Sequence, residues 1–283
     1  MSGSALLVSA LSLGGVCTAF GIFIAAANRK LRVWEDPRIN QTEELLPGTN
    51  CGACGTPGCH AFAEGLVAGQ QQPSGCTVMG PDDIADVAAY LGVDAGEANK
   101  RVARLLCAGG TDVAIQQSTY EGHPSCQAAA AVSGGGKGCN WGCLGLADCA
   151  VACDFDAIHM SDTGLPIVAP DLCTACNDCV EICPKDLFVL MPIEQELLVQ
   201  CKSLVEGSPA QDLCAVACTG CGICAKDAED GLIDMVDGLA VVNYDKNELA
   251  THAAIERCPT KAIVWVEGAQ FPEQQKSLRS FAV

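Results

Sequence analysis

Aromatic residues are scarce, 5% of the 283 positions, so large aromatic cores are not what holds this chain's domains together. Positive charge is scarce as well. Sixteen Lys and Arg face 34 Asp and Glu, a formal charge of −18, which excludes a nucleic-acid binder held by a broad cationic surface. There are four histidines, His60, His123, His159 and His252. They are scattered and suggest neither a catalytic base nor a ligand set. No G-x-G-x-x-G follows a credible strand, which excludes a dinucleotide-binding fold. Ser133–Gly138 resembles a phosphate loop but lacks its leading Gly and the Ser/Thr after Lys137, and reads as a flexible linker. No nucleophile–base pair is apparent, so no catalytic residue is assigned.

What the chain has is cysteine, 21 residues of it. That count admits a disulfide scaffold, a zinc protein or an iron–sulfur protein. The N-terminus bears on the choice. Ala5 to Ala27 is uncharged and, as a helix, would reach roughly 34 Å, enough for a single transmembrane anchor. It ends in Asn28-Arg29-Lys30-Leu31-Arg32 with no basic residue before it, which by the positive-inside rule puts the remainder in the cytoplasm. Gly14, Thr18, Gly21 and Ala25 form a small-residue stripe suited to helix contacts. Cys17, within the span, reads as an inert thiol. Cytoplasmic thiols stay reduced, which disfavours disulfides. With few histidines, zinc would need Cys-only sites.

Asp36 to Asn50 reads as a polar connector to Cys51-x2-Cys54-x4-Cys59, with Cys76 following. Small residues between these ligands let the backbone wrap and aim N–H groups at sulfur. Cys59 is expected at a helix start, Pro81–Val93 as a helix, and Glu97–Cys107 as another. A four-thiolate zinc site is the alternative for this first group.

From Cys126 onward the cysteines overlay on themselves with a shift of 75. Cys126, Cys139, Cys143, Cys149 and Cys183 fall on Cys201, Cys214, Cys218, Cys224 and Cys258, and Ile158, Met160 and Pro184 on Ile233, Met235 and Pro259. Two copies of one unit follow. The unit is the bacterial two-cluster ferredoxin pattern, in which the fourth Cys of each C-x2-C-x2-C-x3-C run ligates the other run's cluster. In copy one, Cys173, Cys176 and Cys179 with Cys153 make one complete set. Cys143, Cys149 and Cys183 lack a fourth, because Leu146 stands at its place, and Cys139 is the nearest substitute. In copy two, Cys218, Cys221 and Cys224 with Cys258 are complete. The partner site's positions are Ala228, Glu248, Thr251 and Ala254. Losing all four ligands of one cluster while keeping all four of its neighbour respects the crossing rule, and favours iron–sulfur over zinc.

Four [4Fe–4S] clusters thus use 16 cysteines, and iron–sulfur chemistry without a catalytic pair reads as electron transfer. Cys107, Cys126, Cys201 and Cys214 remain beyond Cys17. They read as structural thiols in preference to a fifth cluster, which would need their distant loops to converge. The fold class expected is α+β. It comprises a transmembrane anchor (1–32), a small helical 4Fe–4S domain (33–93), a helical connector and linker (94–138), a two-cluster ferredoxin-like domain (139–193) and a degenerate one with a single cluster (194–283).

The uncharged helix, EDPRINQTEELLPGTNCGACGTPGCHAFAEGLVAG, Cys76, and NWGCLGLADCAVACDFDAI with CTACNDCVEICP resemble the B-subunit family of the Rnf complex. That complex is a membrane-bound, ion-translocating ferredoxin:NAD oxidoreductase of bacterial and archaeal cytoplasmic membranes. The resemblance implies electron entry from reduced soluble ferredoxin and relay to membrane flavin and iron–sulfur subunits. Leu146 and the truncated cluster set of copy two depart from the pattern and bear on the number of relay stations. An iron–sulfur subunit of a hydrogenase- or quinone-linked enzyme, or a zinc or assembly scaffold, is the alternative. An acidic ferredoxin calls for local basic residues. Lys100, Arg101 and Arg104 are the densest such group, with an ordinary solvated helix face as the plainer reading.

Overall fold

The computed structural model describes residues 3–31, 36–96 and 100–271. The uncharged N-terminal run forms helix α1 (Gly3–Leu31) with Arg29 and Lys30 in its last turn. It does not bear out the membrane span. Among the described residues no helix is long and apolar enough to cross a membrane. The side chains of residues 3–10 and 12, which carry the first part of the expected span, lie outside the described residues. The single transmembrane helix of the expected fold class is corrected to an N-terminal helix with a basic end.

The next unit is helical, and its first helix falls within the stretch read as a connector. Asp36–Asn50, expected as a connector, starts with helix α2 (Pro37–Leu45). Asp36 caps it by accepting from the Arg38 N–H at 3.0 Å, and Pro37 sits in the first turn. Helix α3 (Cys59–Val67) opens on Cys59 as predicted, and helix α4 (Pro81–Leu91) runs from Pro and two acids to a left-handed Gly92. Phe62, Ala63, Leu66, Ile84 and Val87 close the core between them.

Two further units share one plan. In the first, strand β1 (Arg101–Leu105) precedes helices α5 (Cys126–Ala131) and α6 (Asp148–Val151), strands β2 (Ile158–Met160) and β3 (Pro166–Val168), helix α7 (Asp178–Glu181) and strand β4 (Phe188–Pro192). In the second, strand β5 (Leu197–Val199) precedes helices α8 (Ser208–Leu213) and α9 (Ile223–Asp227), strands β6 (Ile233–Val236) and β7 (Leu239–Val242), helix α10 (Ala253–Glu256) and strand β8 (Ile263–Trp265). The hairpins β2–β3 and β6–β7 are antiparallel, with Ile158 opposite Val168 and Ile233 opposite Val242. Each unit is closed by an outer pair, β1 with β4 and β5 with β8, also antiparallel.

Strand β1 lies where a helix is expected over Glu97–Cys107, of which residues 97–99 are outside the described residues. Val102, Ala103, Arg104 and Leu105 are all buried. A strand covered on both faces shows no alternation, and pairing with β4 overrides the local helical pattern. The basic group loses its expected face with it, because Arg104 is 1% exposed. The Ser133–Gly138 run is not a free linker either. Gln117 N–H donates to the Gly136 carbonyl at 2.8 Å, Gly138 N–H to that of Ile115 at 2.8 Å, and Lys137 is buried.

The repeat is visible in backbone detail. Gly145 and Gly220, 75 residues apart, both have left-handed φ (+73° and +69°). A Cβ there would lie 2.8 Å from the Gly164 carbonyl oxygen and 2.7 Å from that of Gly238. Each cluster loop therefore runs backbone to backbone against its hairpin turn, which only glycine permits. Gly220→Ala is expected to destabilise the chain by about 1–3 kcal/mol, read as a lower midpoint in anaerobic denaturant unfolding. An unchanged midpoint would contradict the close approach.

Candidate metal centres

Cysteine sulfurs in this protein are part of the hydrophobic cores. Cys149 and Cys179 pack with Leu105, Ile158 and Leu187, and Cys218 and Cys224 with Leu197, Leu232 and Ile263. In the N-terminal unit Cys54, Cys59 and Cys76 border the Phe62 core. Among the described residues no three His, Cys, Asp or Glu converge as around a single metal ion. Twelve of the thiols stand instead in fours around three cavities.

In the N-terminal unit, left-handed Gly52 and Gly55 wrap the loop around Cys51 and Cys54. Asn50 Oδ1 accepts from the Cys59 N–H at 2.8 Å, pinning the start of α3 to the loop. Burial pushes the Cys76 thiol up, with Cys54 and Cys51 adding to it, while the N–H groups of Val78 and Met79 pull it down. Cys51, Cys54 and Cys76 are thus within electrostatic reach of one another, and Cys59 borders the same core.

Cys153, Cys173, Cys176 and Cys179 line one cavity with Ile158 and Leu190, as the crossing rule places them. Burial, then Cys173, Cys176 and Cys153, push Cys179 up to about 12. A ferric–ferrous core is the kind of cation that holds such sulfurs as thiolates. Cys218, Cys221, Cys224 and Cys258 line an equivalent cavity in the second unit. Burial raises Cys258, but the N–H groups of Ile263, Thr260 and Ala262 outweigh it and bring the thiol down. Where the absent partner cluster would lie, Ala228, Leu249, Ala250 and Ala254 are packed into the core.

The second site of copy one differs in its surroundings from the sequence reading. Cys143, Cys149 and Cys183 pack in one core, Cys126 is close enough to push the Cys143 and Cys149 thiols up, and Cys139 lines a different cavity. After burial, the thiolates that raise Cys149 are Cys143, Cys126, Cys179 and Cys183. The Cys126 sulfur accepts from the N–H groups of Asp148 and Leu146, so it sits against the loop where Leu146 stands in for a ligand. Asp148 fixes it there. Its Oδ2 accepts from Ser125 Oγ at 3.0 Å and from the Gln127 N–H at 3.1 Å, either side of Cys126. Cys139 instead lines a third cavity between the two units, together with Cys107, Cys201 and Cys214.

Two cations missed in the sequence are buried among these sulfurs. Lys137 Nζ donates to the carbonyls of Gly109 and of Cys143, the latter at 2.6 Å, and acts on both Cys143 and Cys214. Arg104 donates through Nη1 to the Gly268 carbonyl and stands near Cys173, while its Nε and Nη2 have no hydrogen-bond partner among the described residues. Burial pushes the guanidinium's pKa down, against the pull of Cys173. A fixed positive charge beside an anionic cluster favours its reduced form. The sequence signal for Lys137 is its glycine-rich run, which looks like a linker until the bridge from Gln116 folds it inward.

The iron–sulfur family described as "Putative Fe-S cluster" matches residues 46–78, spanning Cys51, Cys54, Cys59 and Cys76. Along nearly the whole chain there are curated relatives. The B subunit of the Na(+)-translocating ferredoxin:NAD(+) oxidoreductase complex of Acetobacterium woodii is 40% identical over 92% of this chain and 78% of its own. The B subunit of the ion-translocating oxidoreductase complex of Methanosarcina acetivorans is 34% identical, over 92% and 98%. The B subunit of the proton-translocating ferredoxin:NAD(+) oxidoreductase complex of Clostridium ljungdahlii is 36% identical, over 91% and 92%.

Cys126→Ala separates the two candidate fourth sulfurs of the copy-one site. It is expected to leave three thiolates there and to produce a three-iron EPR signal in the oxidised, reconstituted chain. A spectrum identical to wild type would return the role to Cys139.

Proposed function

The chain belongs to the B-subunit family of Rnf-type ion-translocating oxidoreductase complexes, and from that premise we propose that it takes electrons from reduced ferredoxin and relays them to the complex's flavin and iron–sulfur subunits. It is an iron–sulfur electron-transfer subunit, and as part of an ion-translocating complex it works at a membrane. The observation that carries the relay is the gathering of cysteines from sequence-distant runs into fourfold sets that line cavities beside apolar cores.

On this reading four clusters are held by Cys51, Cys54, Cys59 and Cys76; by Cys126, Cys143, Cys149 and Cys183; by Cys153, Cys173, Cys176 and Cys179; and by Cys218, Cys221, Cys224 and Cys258. When bound, such clusters supply one-electron exchange without bond rearrangement. The residues do the rest. Leu105, Ile158, Leu187 and Leu232 keep water from the sulfurs, backbone N–H groups stabilise the added charge, and Lys137 and Arg104 offset it locally. With no catalytic pair in view, the bonds of NAD reduction are made in partner subunits.

Purification through a tag on this chain tests the reading. Flavin-bearing subunits are expected to co-purify in fixed stoichiometry. Recovery of a hydrogenase or quinone-linked enzyme in their place would contradict it.

A further inference from the structure

The third cavity is not used by that relay, and it is built from both ferredoxin-like units. Cys107, Cys139, Cys201 and Cys214 line it together with the buried Lys137. The four come as two equivalent pairs. Cys139 and Cys214 are related by the 75-residue shift, four residues before Cys143 and Cys218 respectively. Cys107 and Cys201 are related by the fold, although 94 residues separate them. The Leu106 N–H donates to the Leu187 carbonyl at 2.7 Å and the Gln200 N–H to the Ala262 carbonyl at 2.7 Å. Leu187 and Ala262 are themselves 75 apart, so each of these cysteines follows the same edge of the same strand pair.

The symmetry extends to the sulfur contacts. Cys143 N–H donates to Cys107 Sγ at 3.4 Å, and its counterpart Cys218 N–H donates to Cys201 Sγ. Gly109 and Ser203, each two residues beyond its cysteine, donate to the same sulfurs at 3.4 and 3.5 Å. Val216 N–H serves Cys214. A Cβ on Gly109 would come within 3.1 Å of Cys214 Sγ and 3.6 Å of Cys107 Sγ, so the backbone itself forms a wall of the cavity. Backbone donors aimed at sulfur, a buried ammonium and a fourfold thiol set are what an anionic cluster requires and a group of inert thiols does not.

We infer that Cys107, Cys139, Cys201 and Cys214 hold a fifth [4Fe–4S] cluster, shared between the two units. The inference rests on the iron–sulfur reading above. Cys107 touches the backbone of Cys143, a ligand of the copy-one site, and Cys201 touches that of Cys218, a ligand of the copy-two site. The shared cluster therefore stands between the two. One electron passes to it as the cluster on one side is oxidised, and leaves as the cluster on the other side is reduced, with no bond made or broken. Loss of one cluster from copy two leaves the relay continuous, because this site supplies the junction.

Native mass spectrometry and iron and sulfide quantitation of the full chain, reconstituted anaerobically with iron and sulfide, test this directly. Five clusters and about 20 iron atoms per chain are expected. Cys107→Ala and Cys214→Ala should each lose one cluster, and the double variant no more than either single one. The wild-type count needs no variant to fold. Four clusters in wild type, with Cys214→Ala unchanged, would overturn the fifth site and leave the proposed function standing. One zinc per chain lost in Cys214→Ala would overturn its redox role. Failure of wild type to bind iron would overturn both.

Discussion

Everything in this molecule depends on holding several sulfurs close together out of water. A buried thiol surrounded by others resists ionisation, as Cys143, pushed up to about 12 by burial and then by Cys107, illustrates. Thiolates in that setting need a cationic core and many hydrogen-bond donors. The loops answer with backbone N–H groups, which are dipoles fixed by the fold. Left-handed residues make this geometry reachable, with Ala147, Asn177 and Gly222 each turning the chain two residues before a ligand. The scarcity of aromatics follows. Small domains whose centres are metal clusters do not need large side chains to fill them.

Duplication explains the layout. The two units each have a strand pair and a hairpin, and in the second Ala228 and Ala254 belong to the apolar core. The interface between copies is lined by cysteine and by Lys137, with Ala114 bridging to Cys214 across it. Electron relay asks for redox centres in series. A pseudo-symmetric junction made from corresponding residues of each copy places one more thiol set on the line between them.

Much of this was legible beforehand, for physical reasons that can be named. Local spacing grouped Cys173, Cys176 and Cys179, the crossing rule added Cys153, and the four line one cavity. Cys59 at a helix start followed from periodicity. Residue 139 is near Cys143 in sequence but lines the cavity of Cys107, Cys201 and Cys214. In the fold, Cys126 reaches the Leu146 loop through Asp148, a contact no spacing encodes. The 75-residue overlay likewise matched Cys126 with Cys201, whereas the strand pairs match Cys107 with Cys201. Strand β1 hid behind a helical pattern because both its faces are covered. The N-terminal run showed its helix plainly, but among the described residues no helix is long and apolar enough to cross a membrane.

The central claim is that this chain accepts electrons from reduced ferredoxin. Mixing the anaerobically reconstituted chain with a substoichiometric amount of reduced ferredoxin, and following visible absorbance by stopped flow, tests it most directly. The account predicts rapid bleaching of this chain's iron–sulfur absorbance as ferredoxin is reoxidised, slowing as salt screens the encounter. Ferredoxin that stays reduced beside a fully loaded chain would contradict it.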